Sequence, residues 1–155
     1  MTIRERIDKV LEISLVVILS VLVIDVLWQV VSRYLLSSPS SFTDELAGFL
    51  LIWVGVLGAA YVHGKQEHLA IDLLLQRSKP ERQRMLIILI NSLIFLFAIV
   101  VMVIGGAWLV ITRFQLEVIS SALHLPLGYV YIVLPVSGLL MSYYSLEIIR
   151  KNIKK

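Results

Sequence analysis

From Met85 to Thr112 the chain carries no Asp, Glu, Lys or Arg, an unbroken run of 28 residues. As an α-helix rising about 1.5 Å per residue it would reach about 42 Å, against a hydrocarbon core of about 30 Å. Soluble core helices seldom grow so long without charge, so the run is read as a membrane span that tilts or protrudes. Three further apolar runs, 10–36, 42–63 and 127–149, join this one over 85–112. Of the 155 residues 59% are hydrophobic and 16% charged, an apolar share above the roughly 45–50% of soluble domains. Hydrocarbon offers no hydrogen-bonding partner, so each span must satisfy its backbone internally, and α-helices do so. The expected fold is an all-α integral membrane protein: one domain over residues 1–155 with four transmembrane helices.

The polar segments punctuate these runs. Ser37, Ser38, Pro39, Ser40 and Ser41 make a turn after the first span, and Ser41 with Asp44 has the spacing of a capping box. Residues 64–84 contain Leu69, Ile71, Leu73, Leu74 and Leu75, too few to span but enough for an amphipathic segment at the interface. Ser78 and Glu81 form a second capping box before the third span. Pro135, inside the fourth span, is expected to bend it. The basic start, Arg4, Arg6 and Lys9, precedes an apolar run longer than a signal peptide needs, without a small-residue cleavage site, and is read as a retained first helix.

Charge sets the expected orientation. Arg4, Arg6 and Lys9, then Lys65, Arg77, Lys79, Arg82 and Arg84, then Arg150, Lys151, Lys154 and Lys155 fall on one side, twelve of fourteen basic residues. Only Arg33 and Arg113 fall on the other. The positive-inside rule then gives N-in/C-in, with both termini and the amphipathic segment between helices 2 and 3 cytoplasmic. Topology accounts for the net charge of +3, so no nucleic-acid partner is expected.

Few residues are candidates for chemistry. There is no cysteine, which excludes disulfides and thiolate metal sites. His63 and His68 lie toward one end of the spans and His124 toward the other, so neither metal nor haem is expected, and no cofactor. No nucleophile–base constellation is present, so the chain is not read as an enzyme, and no substrate site is assigned to it. Asp25 sits at depth, where a carboxylate costs about 2.5–3.5 kcal/mol and must face protein or water. With Gln29 and Arg33 it forms a stripe at four-residue spacing, read as a polar seam against another helix; an ion path is the alternative. Asp44 and Glu45 suit the positive end of the second helix, or alternatively form an acidic edge that docks a partner. Gly48, Gly55 and Ala59 share one face on which another helix can approach closely. These eight residues are the candidate partner contacts.

Read in order, the chain resembles the small membrane subunit of tripartite ATP-independent periplasmic (TRAP) transporters, the DctQ-like family. The resemblance rests on Arg33 and Tyr34, then Phe42, Thr43, Asp44, Glu45 and Leu46, then Trp53, Gly58, Ala59, Ala60, His68 and Asp72. It continues through Ser121, Ala122, Leu123, Pro126, Tyr131, Leu134 and Pro135. Phe42 stands where the family often has tryptophan, and Asp44 where it has a first glutamate. The resemblance implies a bacterial inner-membrane complex for sodium-coupled uptake of an organic acid, sialic acid or a dicarboxylate. In it a periplasmic substrate-binding protein delivers to a large DctM-like transport subunit, and the small subunit, surrounded by membrane lipid, acts as scaffold. A small four-helix homodimeric exporter and a haem- or quinone-carrying anchor are the competing readings.

Overall fold

The computed structural model describes residues 3–36, 38, 40–65 and 80–153. The amphipathic stretch and Ser78, His68 and Asp72 lie outside the described residues. Helix α1 covers Ile3–Tyr34 and α2 covers Ser41–Lys65. The third span is one rod of three parts: α3 at Pro80–Phe97, a π-helical segment at Ala98–Gly105, and α4 at Gly106–Gln115. The fourth comprises α5 at Leu127–Tyr131 and α6 at Val133–Ile153. All four spans are long and apolar enough to cross a membrane. The second, third and fourth spans extend past their apolar runs, and α1 begins before its run but ends at Tyr34, two residues short of its end.

Local chemistry sets the breaks. The α2 cap is Ser40 rather than the expected Ser41: the Thr43 N–H donates to Ser40 Oγ at 3.5 Å, and Thr43 Oγ1 donates to the Ser40 carbonyl at 3.0 Å. Pro135 acts more sharply than a bend. It has no N–H for the Tyr131 carbonyl and its ring crowds that carbonyl, and the fourth span is interrupted at Ile132, between α5 and α6. The next N–H, of Val136, resumes the ladder by donating to the Ile132 carbonyl at 3.3 Å.

Packing follows the order first, second, fourth, third: α1 lies on α2, α2 on α6, and α6 on α3 and the π-helical segment. Two glycines bring the last pair together. A Cβ on Gly138 would lie 2.7 Å from Met102 Cβ and 3.0 Å from the Ala98 carbonyl oxygen, both in the π-helical segment. A Cβ on Gly106 would lie 3.0 Å from Leu134 Cβ and 3.1 Å from Pro135 Cδ. The widened π turn thus seats against the interrupted helix, with each partner giving up one side chain. A core of Leu11, Leu57, Val133 and Tyr144 joins α1, α2 and α6.

That core is small, and Ile24, Leu51, Met85 and Trp108 stand among many exposed large apolar residues. Three polar side chains, which hydrocarbon cannot solvate, are used as rungs between helices. Trp53 Nε1 donates to the Val130 carbonyl at 3.0 Å, Ser137 Oγ to the Val56 carbonyl at 2.7 Å, and His63 Nε2 meets Ser145 Oγ at 2.8 Å. These three rungs tie α2 to α5 and α6 along their length.

Overpacking a tight helix contact costs about 1–3 kcal/mol, so Gly138→Leu should destabilise the fold by that amount or more. Gly55→Leu, where an added Cβ meets nothing within 4 Å, should stay within about 0.5 kcal/mol of the parent. Unfolding in detergent followed by circular dichroism compares the two.

Candidate partner interface

Residues that leave a helix without a partner in their own chain are the natural contacts for another one. On α2 the exposed positions include Asp44, Gly48, Leu51, Gly55, Ala59 and Val62, each three or four residues from the next, which is one helical face. Gly58, whose added Cβ would lie 4.0 Å from Leu15 Cδ2, points instead at α1. Trp53, Val56 and His63 point at α5 and α6. The face of Gly48, Gly55 and Ala59 therefore lies between these two contacts. Added Cβ atoms on Gly48 and Gly55 meet nothing within 4 Å among the described residues, which leave open the flat strip expected to take a helix.

The stripe on α1 lies against α2. Asp25 is buried and Gln29 half-buried, while Arg33 reaches Asp44 of α2, with Nη2 and Oδ1 at 3.5 Å. One oxygen of Asp25, Oδ2, is buried without a hydrogen-bond partner among the described residues. Ser32, one turn above Gln29, donates to the Gln29 carbonyl at 2.9 Å.

Asp44 and Glu45, adjacent in sequence, are put to different uses. Asp44 pairs with Arg33 at an exposed edge, where such a bond contributes under about 1 kcal/mol. Glu45 turns inward under the loop that joins α4 to α5. Its Oε1 accepts the Ser121 N–H at 3.0 Å, and its Oε2 accepts those of Ala122 and Leu123 at 2.8 and 2.9 Å. Three successive backbone donors on one carboxylate fix this loop to the start of α2, and the charge strengthens each bond. Within it, Glu117 and His124 take left-handed backbone angles, φ 48° and 54°, that only a well-held loop sustains. Ser120 Oγ accepts the Leu125 N–H at 3.3 Å, closing the turn from within.

A polar cluster at the end carrying the termini went unnoticed in the sequence. Tyr144 Oη donates to Asp8 Oδ1 at 2.6 Å, and Lys65 Nζ lies 3.7 Å from Asp8 Oδ2. Arg4 donates to Glu147 Oε2 at 2.9 Å and to the Gly64 carbonyl at 2.6 Å, while Lys151 reaches Glu147 at 2.7 Å. Gly64 is obligatory here, since a Cβ would fall 2.8 Å from the Tyr144 ring. The cluster clasps α1, α2 and α6 together. Its only sequence signal is the four-residue spacing of Arg4 with Asp8 and of Glu147 with Lys151, and counting basic residues alone passes over the acids.

Tyr144→Phe removes one hydrogen bond to a carboxylate and should cost about 1–2 kcal/mol, read by detergent unfolding against the parent. Glu45→Ala should make the 116–126 loop a site of rapid proteolysis from the side opposite the termini, while Asp44→Asn leaves the cleavage rate unchanged.

Several known proteins are similar to this chain. It is 30% identical over 138 residues to a Haemophilus influenzae protein named "Putative TRAP transporter small permease protein", covering 88% of this chain and 83% of that one. It is 26% identical over 144 residues to the sialic acid TRAP transporter small permease protein SiaQ of Vibrio cholerae, covering 93% and 82%. Against the C4-dicarboxylate TRAP transporter small permease protein DctQ of Rhodobacter capsulatus the identity is 29% over 107 residues, covering 69% and 47%. A 56-residue stretch, 36% of this chain, is 41% identical to 9% of the much longer sialic acid TRAP transporter permease protein SiaT of Haemophilus influenzae. Residues 10–155 match the family described as tripartite ATP-independent periplasmic transporters, DctQ component, and the chain belongs to that family as a TRAP transporter small permease subunit.

Proposed function

We propose that this subunit is the fixed scaffold of a sodium-coupled uptake complex in a bacterial inner membrane, with both termini cytoplasmic and no catalytic role of its own. A large DctM-like membrane subunit holds the substrate and sodium, and a periplasmic binding protein delivers the organic acid. The observation that carries this reading is the open strip of Gly48, Gly55 and Ala59 on α2, bounded by α1 and α6. Small residues let helix backbones approach closely in lipid, where packing drives association, so the strip suits a helix of the large subunit. The match to a short part of a far longer permease supports the same partner, because there a segment like this one is continuous with the rest of a permease.

Two ends of the molecule take separate parts in this reading. Away from the termini, the Arg33–Asp44 edge and the loop braced by Glu45 form a rigid platform for the binding protein. At the terminal end, the Arg4–Asp8–Tyr144–Glu147 cluster holds the helices while the large subunit moves. Asp25 stiffens the seam between α1 and α2 rather than carrying an ion. The cargo is sialic acid or a four-carbon dicarboxylate, the two acids for which relatives are named.

The double variant Gly55→Leu with Ala59→Leu should fold as the parent does but fail to co-purify with the large subunit, lowering uptake by the full complex about tenfold or more. Undiminished co-purification would remove the strip from the interface. Because the chain has no cysteine, single cysteines at Ser38 and Arg150 test the orientation separately. A membrane-impermeant maleimide added to intact cells stripped of their outer membrane should label Ser38→Cys and not Arg150→Cys.

A further inference from the structure

On the side of α2 opposite the open strip, α1 and α6 leave a groove of about 680 Å³ between them. Trp53 and Leu57 of α2 form its base, Val10 and Val17 of α1 one wall, and Val133 and Val136 of α6 the other. Along α1 it runs from Arg6 to Ile18, about 18 Å at helical rise, close to one leaflet of a hydrocarbon core about 30 Å thick. Its lining is apolar apart from Ser14 and a single cation, Arg6, at the mouth.

The charges around that mouth are unevenly occupied. Arg4 is bound to Glu147 and the Gly64 carbonyl, Lys65 faces Asp8, and Lys151 is bound to Glu147. Arg6 is exposed and has neither an ion pair nor a hydrogen bond among the described residues. It stands where headgroups begin, above a slot one acyl chain deep. A lone guanidinium over an apolar slot is complementary to an anionic headgroup on an acyl chain, the arrangement by which basic pockets between spans hold acidic lipids. Another protein's helix would fill the slot but leave the cation without a counter-charge.

We infer that this groove is a binding site for one anionic phospholipid, its acyl chain between α1 and α6 and its phosphate on Arg6. Assigning it to the cytoplasmic leaflet rests on the orientation proposed above; the binding itself does not. The lipid would fill the wedge between two helices that otherwise meet mainly at their clasped ends, and so complete the scaffold.

Trp53 at the base of the groove is a built-in reporter. With the exposed Trp28 and Trp108 changed to Phe, the full chain is reconstituted in phosphatidylcholine vesicles containing a trace of lipid brominated in the distal acyl chain. Brominated phosphatidylglycerol should quench Trp53 at about fivefold lower mole fraction than brominated phosphatidylcholine, the preference expected of one basic residue. Arg6→Gln should abolish this preference and Arg6→Lys should keep it. Equal quenching by the two lipids, or a preference that survives Arg6→Gln, would overturn the assignment. The vesicles are symmetric, so the result is independent of orientation, which the cysteine labelling reads by itself.

Discussion

Hydrocarbon cannot accept or donate a hydrogen bond, and each part of this structure answers that constraint. It makes the four spans helical, and it puts several polar side chains to use as ties between neighbouring helices. Trp53 reaches the Val130 carbonyl, Ser137 the Val56 carbonyl, and His63 the Ser145 hydroxyl, so that α2 is fastened to the fourth span at three depths. Charges gather at the two ends, where water and headgroups begin. There Glu45 braces one loop and the Asp8–Glu147 cluster closes the other end.

Glycine is used in two opposite senses. Gly106 and Gly138 are consumed inside the chain, where the π-helical segment meets the interrupted fourth span too closely for a Cβ. Gly48 and Gly55 offer the same flatness outward, to space that no described residue enters within 4 Å of an added Cβ. A row of helices with a small core and one open small-residue face is suited to being widened by a neighbour.

The spans were legible in the sequence because length and missing charge are properties of contiguous residues. Pro135 was legible for the same reason, though its effect concentrates at Ile132 three residues earlier, where the ring and the missing N–H act together. The face shared by Gly48, Gly55 and Ala59 could be read from spacing, but not whether α1, α6 or nothing would cover it. What could not be read depends on residues far apart in the chain. Glu45 meets residues 121–123, and Asp8 meets Tyr144, across separations that no local pattern encodes. The π-helical segment has no sequence mark either: its run from Ala98 to Gly105 is apolar throughout, which fits any helical span, and it widens where Gly138 faces it.

The central claim, that the small-residue face of α2 is covered by another polypeptide, is open to one direct measurement. A nitroxide attached through Gly55→Cys in this cysteine-free chain reports oxygen collisions and probe mobility at that spot, in the isolated subunit and in the assembled transporter. Both should be high for the subunit alone in lipid and fall sharply on assembly, while a probe at exposed Trp108 changes little. Collision rates at position 55 that stay the same in the complete transporter would mean that lipid, not protein, covers α2.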